Sequence, residues 1–235
     1  MRKLPPPQAL IFDVFGTLVD WHGSVAREVA RLLPGRVRDP DAFALDWRDQ
    51  YQPAMQRVRS GELPFCKLDV LHRHNLDHVL AARGLHDVPE KLRAELNLAW
   101  YWLDAWPDVA PGLQRLRARF RLAPCSNGNI SLMVDLARRN GLPWDAILGA
   151  ELARDYKPQP VVYRCAVDAF DLQPDQVLMV AAHSEDLAAA AACGLRTAHI
   201  ARPDEHGPGQ GETAARVAVD WQAGSLTDLA TQLGA

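Results

Sequence analysis

The sequence predicts an α/β fold, a doubly wound, Rossmann-like parallel sheet core with a helical cap subdomain inserted after its first strand, and three observations predict it. Short apolar runs recur at residues 8–14, 121–128, 176–186 and 195–201, each followed by a loop or a helix-like segment. Residues 20–106 show helical periodicity and no strand. The polar residues of the runs gather at their carboxyl ends, where open α/β sheets bind ligands.

The first run, QALIFDV, ends on Asp13 and meets Gly16-Thr17, the form of a buried strand entering a functional loop. The stretch after it is too long for an ordinary crossover and long enough for a subdomain. It reads as helices at Val25–Leu33, Asp41–Arg59, Leu68–Arg83 and Pro89–Leu103. Trp100 to Pro107, WYWLDAWP, carries the return hinge, its aromatics packing between cap and core or walling a small apolar pocket. RLAPCSNG, QVLMVAAHSED and LRTAHIA then supply three more strands. Arg202 to Glu212, RPDEHGPGQGE, reads as a surface loop, ahead of a last strand at Ala215–Val219 and a final helix at Leu226–Leu233. The expected division is a core of residues 1–19 and 107–235 around a cap of residues 20–106.

With 235 residues, 48% of them hydrophobic and 23% charged, the chain is long enough to bury one core and a smaller satellite. A net charge of -3 with scattered Lys and Arg argues against nucleic acid and leaves small molecules as the expected ligands. Cys66, Cys125, Cys165 and Cys193 form no CxxC pair, so neither a disulfide framework nor a zinc site is expected and a reducing cytoplasm fits. Prolines and Asp13 break the apolar run that a signal peptide needs, and no run reaches the roughly 18 apolar residues of a membrane span, so no membrane partner is expected. His72, His74 and His78 read as a solvated cap face, because no acid or thiolate partner is evident nearby. Arg115, Arg117, Arg119 and Arg121 read as surface, and Cys125 as a buried strand residue.

Asp13-Val14-Phe15-Gly16-Thr17-Leu18-Val19-Asp20 resembles the first motif of the haloacid dehalogenase (HAD) superfamily, in which an aspartate ending the first strand is the nucleophile. Ser126-Asn127, Lys157-Pro158 and Asp186 follow in order and resemble the other three motifs, so the resemblance spans nearly the whole chain and implies a HAD-type core with cap. The superfamily's phosphatases carry an acid two positions after the nucleophile and a metal-binding acid four positions before the one matching Asp186. Here those positions are Phe15 and Ala182. Losing a general acid typically costs ~10²- to 10⁴-fold, and two carboxylates alone make a poor octahedral Mg²⁺ site.

The chain therefore resembles the L-2-haloacid dehalogenase branch, with further matches at Trp47-Arg48, Ser126-Asn127-Gly128, Tyr156-Lys157-Pro158, Tyr163 and the string WRxQYxPAMxRVRxG from Trp47 to Gly61. A halide leaves as a stable anion and needs no acid. The resemblance implies hydrolysis of short 2-haloalkanoic acids to 2-hydroxy acids through an ester on Asp13, with halide as the second product, no metal and no cofactor. It also implies a homodimer through the cap as one assembly state. Competing readings are a Mg²⁺-dependent phosphatase or phosphonate-cleaving relative, and a non-catalytic binder of small carboxylates.

The roles that follow are these. Asp13 attacks, Lys157 offsets its repulsion from Asp186, Asp186 takes a proton from the hydrolytic water or caps its helix, and Thr17 hydrogen-bonds the nucleophile. Ser126, with backbone N–H groups of the first loop, at Val14 and Phe15, and of the second, holds the substrate carboxylate, while Tyr163 joins the substrate-binding set. Arg48 and Asn127 meet the halide. His183 stands where characterised members often have Asn, and is read as orienting water, lining a tighter halide site, or a loop histidine satisfied by backbone. Glu185 is expected to turn away or to meet an arginine.

Overall fold

The computed structural model describes residues 6–235; the reading of residues 1–5 as part of a segment lacking a leader lies outside the described residues. Fully buried ALIF forms β1 (Ala9–Phe12), apolar on both faces as a central parallel strand must be. A two-residue strand β2 (Val19–Asp20) then pairs antiparallel with β3 (Asp104–Ala105), so the chain leaves the core and returns to it through one narrow ribbon. Between them lie α1 (Trp21–Leu32), α2 (Pro40–Asp49), α3 (Tyr51–Arg59), α4 (Leu68–Ala82), α5 (Glu90–Asn97) and a 3-10 turn over Leu98–Trp102. Asp20 caps α1 by accepting from Gly23 N, and Asp39 caps α2 ahead of Pro40 at its first position.

The expected single helix Asp41–Arg59 is two helices broken at Gln50. Pro53 explains the break, because its ring clashes with the carbonyl four residues back, at Asp49, and it cannot donate. His72 corrects the solvated-face expectation for one of its three histidines: it is buried and stacks on Trp100 with ring centroids 4.1 Å apart, while His74 and His78 are exposed. Among the described residues no group of His, Cys, Asp and Glu is arranged to hold a metal ion.

The core continues with α6 (Val109–Arg117), β4 (Arg121–Ser126), α7 (Ile130–Asn140), β5 (Leu148–Gly149), α8 (Ala150–Ala153), α9 (Pro160–Asp168), β6 (Val177–Ala181), α10 (Ser184–Ala192), β7 (Arg196–Ile200), β8 (Trp221–Ala223) and α11 (Leu226–Gln232). Six strands form one parallel sheet in the order β5-β4-β1-β6-β7-β8, which places β1 between β4 and β6. Cys125 is fully buried on β4, as expected, and the four arginines from Arg115 to Arg121 are exposed. No helix among the described residues is long and apolar enough to cross a membrane.

Two expectations near the C-terminus are corrected. Ala215–Val219 is not a strand; the last strand is β8 at Trp221–Ala223. Its backbone donors are taken by side chains instead, with Ala215 N on Gln222 Oε1 and Arg216 N on Ser184 Oγ, so no ladder can form there. The Gly- and Pro-rich segment Arg202–Glu212 is not simply a surface loop. Arg202 is buried, donating to Thr17 O at 2.8 Å and Asp108 Oδ2 at 2.9 Å, and Glu205 is only 2% exposed. This segment is a strap drawn down onto the loop after β1.

Candidate active site

Asp13 follows β1 and is fixed by its N–H donating to Val180 O of β6 at 3.0 Å. Its carboxylate lies at the carboxyl end of β1, where Lys157 arrives from the loop between α8 and α9, and His183 and Asp186 from the start of α10. A cavity of about 800 Å³ opens there, lined among others by Asp13, Phe15, Arg48, Tyr51, Asn127 and Lys157.

Lys157 Nζ bridges two carboxylates, at 2.8 Å from Asp13 Oδ1 and 2.5 Å from Asp186 Oδ2, with all three side chains at most 10% exposed. Burial alone would neutralise these groups. For Asp13 it pushes the carboxyl up, but the Lys157 charge and the hydrogen bond and charge of His183 outweigh it and hold the group well below the usual carboxylate range. Burial likewise favours a neutral Lys157, and Asp13 and Asp186 together push it the other way, well above its ordinary value. The nucleophile is thus ionised while shielded from water. Thr17 Oγ1 donates to Asp13 Oδ2 at 2.8 Å and accepts from Ala182 N at 2.9 Å. Tyr163 donates to Asp186 Oδ1 at 2.5 Å, and burial followed by the Asp186 charge pushes its phenol well above the ordinary tyrosine value.

His183, at the N-terminus of α10, sits between two acids: Nδ1 is 3.1 Å from Asp13 Oδ2, and Nε2 is 3.0 and 2.9 Å from the two oxygens of Glu205. Burial disfavours its charge, but Glu205 and Asp13 override that and push the imidazole up to about 10. Glu205 itself is held below its usual value, its burial outweighed by the charge and hydrogen bond of His183. Sequence reasoning missed Glu205 and took its segment for surface. Trp21 Nε1 also donates to Glu205, at 3.0 Å, so this one carboxylate ties the strap to the first residue of α1 in the cap.

Gly16 explains how the strap fits. It has φ +83°, and a Cβ there would lie 2.0 Å from Glu205 Oε1. Gly16→Ala is expected to destabilise the fold by roughly 1–3 kcal/mol through left-handed strain. By displacing Glu205 it should also lower turnover by about 10²-fold. Urea unfolding alongside steady-state rates checks this, and wild-type values for both would refute the close-approach argument.

The other expected residues are placed as follows. Phe15 is buried and packs edge-on against Trp100 and Tyr51. The Arg48 guanidinium lies 3.9 Å over the Tyr51 ring and 5.3 Å over Trp21, with its buried Nη1 unpartnered among the described residues. Asn127 Oδ1 accepts from Lys157 N at 2.8 Å. Ser126 is fully buried; its Oγ accepts from Gly128 N at 3.0 Å, so it holds the second loop and does not line the cavity. The Val14 side chain is core, and its carbonyl accepts from Leu18 N and Val19 N. Glu185 is exposed at the rim of the cavity, which it helps to line, so it does not turn away from the site as expected. Tyr51 is a cavity residue that sequence reasoning quoted without a role. The Trp100 indole is packed among Trp21, Trp47, Phe15 and His72, the packing alternative for the hinge aromatics.

Comparison with known proteins places this arrangement. A family model described as haloacid dehalogenase-like hydrolase matches residues 7–194. The chain is similar to a solved defluorinating L-2-haloacid dehalogenase, at 44% identity and a TM-score of 0.94, over 97% of this chain and 96% of the other. An L-2-haloacid dehalogenase from Xanthobacter autotrophicus, solved with chloropropionic acid covalently bound, superposes with a TM-score of 0.83 at 26% identity, over 97% of this chain and 98% of that one. (S)-2-haloacid dehalogenase 1 of Pseudomonas sp. (strain CBS-3) is 30% identical, over 85% of this chain and 86% of its own length.

Proposed function

The chain belongs to the haloacid dehalogenase-like hydrolase family, and from that premise we propose that it cleaves the carbon–halogen bond of short 2-haloalkanoic acids, giving 2-hydroxy acids. The observation that carries the reading is an ionised, buried Asp13 next to Phe15, an apolar side chain where a leaving oxygen would need an acid. A halide makes no such demand. Similarity to haloacid dehalogenases, one with chloropropionic acid covalently bound, supports the same reaction.

Asp13 attacks C2 from the side opposite the halogen and halide leaves with the bonding pair. Arg48, a fixed cation packed against aromatic faces with one donor spare, favours the departing anion, with Asn127 beside it in the cavity. The N–H groups of Val14 and Phe15 donate to no acceptor among the described residues, and they suit the substrate carboxylate. Asp186 has one acceptor site left on each oxygen after Lys157 and Tyr163, enough to take a proton from the hydrolytic water. The chemistry is metal-independent in this reading, since Lys157 Nζ occupies the position between Asp13 and Asp186 where a cation would bridge them.

Incubation with 2-chloropropionate or a haloacetate in the presence of a chelator should release halide. A single turnover in ¹⁸O-water should put the label into the Asp13 carboxylate. Label only in the product would overturn the ester route, and thermal stabilisation by 2-hydroxy acids without halide release would favour a binding protein.

The proposed division is a core of residues 1–19 and 107–235 and a cap of residues 20–106, with the β2–β3 ribbon at the joint. Four free cysteines suit a reducing cytoplasm. The cap exposes the apolar side chains of Val70, Leu98 and Trp102, which supports a homodimer through the cap. Light scattering should give twice the chain mass, and Trp102→Glu should halve it; a wild-type monomer would refute the dimer.

A further inference from the structure

We propose that Asp13 attacks through Oδ1, and that Thr17 and His183 form the oxyanion hole for hydrolysis of the resulting ester at Oδ2, with Glu205 as the positioning residue behind His183. The inference rests on the reading of Asp13 as nucleophile and assigns each of its oxygens a task.

A carboxylate oxygen offers about two lone-pair sites. Oδ2 already accepts from Thr17 Oγ1 at 2.8 Å and His183 Nδ1 at 3.1 Å, whereas Oδ1 accepts from Lys157 Nζ alone. Oδ1 therefore keeps a free pair for C2. Once it is alkylated, Oδ2 is the carbonyl oxygen of the ester, with two donors already in place. That is where negative charge develops when water adds.

The donor roles are fixed by the neighbours. Thr17 Oγ1 accepts from Ala182 N, which turns its own proton toward Oδ2. His183 faces a carboxylate through each ring nitrogen, and carboxylates only accept, so both nitrogens carry protons. An imidazolium held this way has no lone pair with which to act as a base, and its role is electrostatic. Its burial-opposed rise to about 10 agrees. The surrounding titratable and charged groups are Asp13 after β1, Glu205 and His206 of the strap, His199 on β7, and Arg48 of the cap acting on Glu205.

The step balances as follows. Water oxygen bonds to Cγ of Asp13, one water proton passes to Asp186, and the carbonyl π pair moves onto Oδ2. Collapse restores the carbonyl and breaks Cγ–Oδ1, so Oδ1 leaves with the product and takes the proton from Asp186. The second water proton is lost from the regenerated Asp13 carboxyl, which is ionised in this site.

The sign of the pH dependence separates a donor from a base. A donor works protonated, so ester hydrolysis should slow as pH rises through the imidazole value. Esterification removes the Asp13 charge, which places that limb below about 10. The test is a single turnover of 2-chloropropionate with enzyme in excess, reading halide and, by mass spectrometry, the ester on the Asp13 peptide. His183→Leu should release a burst of halide and then hold the ester about 10²- to 10³-fold longer than wild type. His183→Asn, which restores a neutral donor, should recover at least tenfold of that loss and show no alkaline limb. Glu205→Gln should move the limb to lower pH, a shift that a merely structural role would not produce. Ester decay in His183→Leu at the wild-type rate would overturn the inference, as would a wild-type rate that rises with pH and an Asn variant as slow as the Leu variant. Absence of halide from the wild type would overturn the dehalogenase reading and this inference with it.

Discussion

Asp13→Asn should abolish turnover, by at least about 10⁴-fold, while leaving the fold intact. Asparagine keeps the shape and one carbonyl acceptor for Thr17, but its amide is not a nucleophile towards C2. The loss is chemical, since the loop after β1 is fixed by the Asp13 N–H on Val180 and by Gly16 N on Val19 O, neither of which involves the side chain. Stability should fall by roughly 1–3 kcal/mol at neutral pH, the worth of hydrogen bonds to a charged group. The sign follows from linkage: the folded Asp13 carboxyl is depressed below 3.8, so its ionised form stabilises the protein above that value and is lost as pH falls. Halide electrodes and circular dichroism check both parts, and an asparagine variant keeping more than a hundredth of wild-type turnover would remove Asp13 from the mechanism.

Lys157→Met should have the largest effect on stability and also lose activity. Methionine fills the space but leaves Asp13 and Asp186 facing each other with the bridging cation gone. Breaking a buried ion cluster by removing one partner costs about 3–5 kcal/mol, and two facing carboxylates repel by roughly 3–4 kcal/mol over a range of about 4–5 Å at an effective dielectric of 20. One of the two then takes up a proton, and a protonated Asp13 does not attack, so turnover should drop by about 10³-fold or more. The pH dependence should reverse. Wild-type stability from Asp13 is present above 3.8 and declines on acidification. In the variant the pair titrates above that value, so acidification from pH 7 towards 5 relieves repulsion and should raise stability. Urea midpoints across that window decide it, and parallel slopes for the two proteins would show that Lys157 does not hold the cluster.

Most of the site that sequence made legible is tied to strand ends. Asp13, Thr17 and Asp186 follow switches from an apolar run to a polar loop, a pattern with a period and a place, whereas Lys157 lies in the loop between α8 and α9 and is legible only through its order among the motifs. Glu205 has neither. It lies in a stretch of Gly and Pro whose composition reports only irregular backbone, and burial of an acid there depends on a histidine 22 positions away. The signal that existed was indirect: an acid beside glycines, and a glycine at position 16 with no stated reason to lack a side chain. The broken helix was more accessible, because Pro53 lies four residues after Asp49 within the expected single span. The displaced last strand was not, since nothing in AARVAVD reveals that its backbone donors meet Gln222 and Ser184.

The strand order has a consequence for how the protein is made. β1 is synthesised before the other strands of its sheet, yet in the finished sheet it is flanked by β4 and β6. Its ALIF segment, apolar on every side, must wait for partners that begin at Arg121 and Val177. The nucleophile is synthesised nearly two hundred residues before the glutamate that completes its surroundings. A nascent chain therefore carries an uncovered aggregation-prone strand and no functioning centre through most of its synthesis, and both defects end only as the C-terminal third is translated.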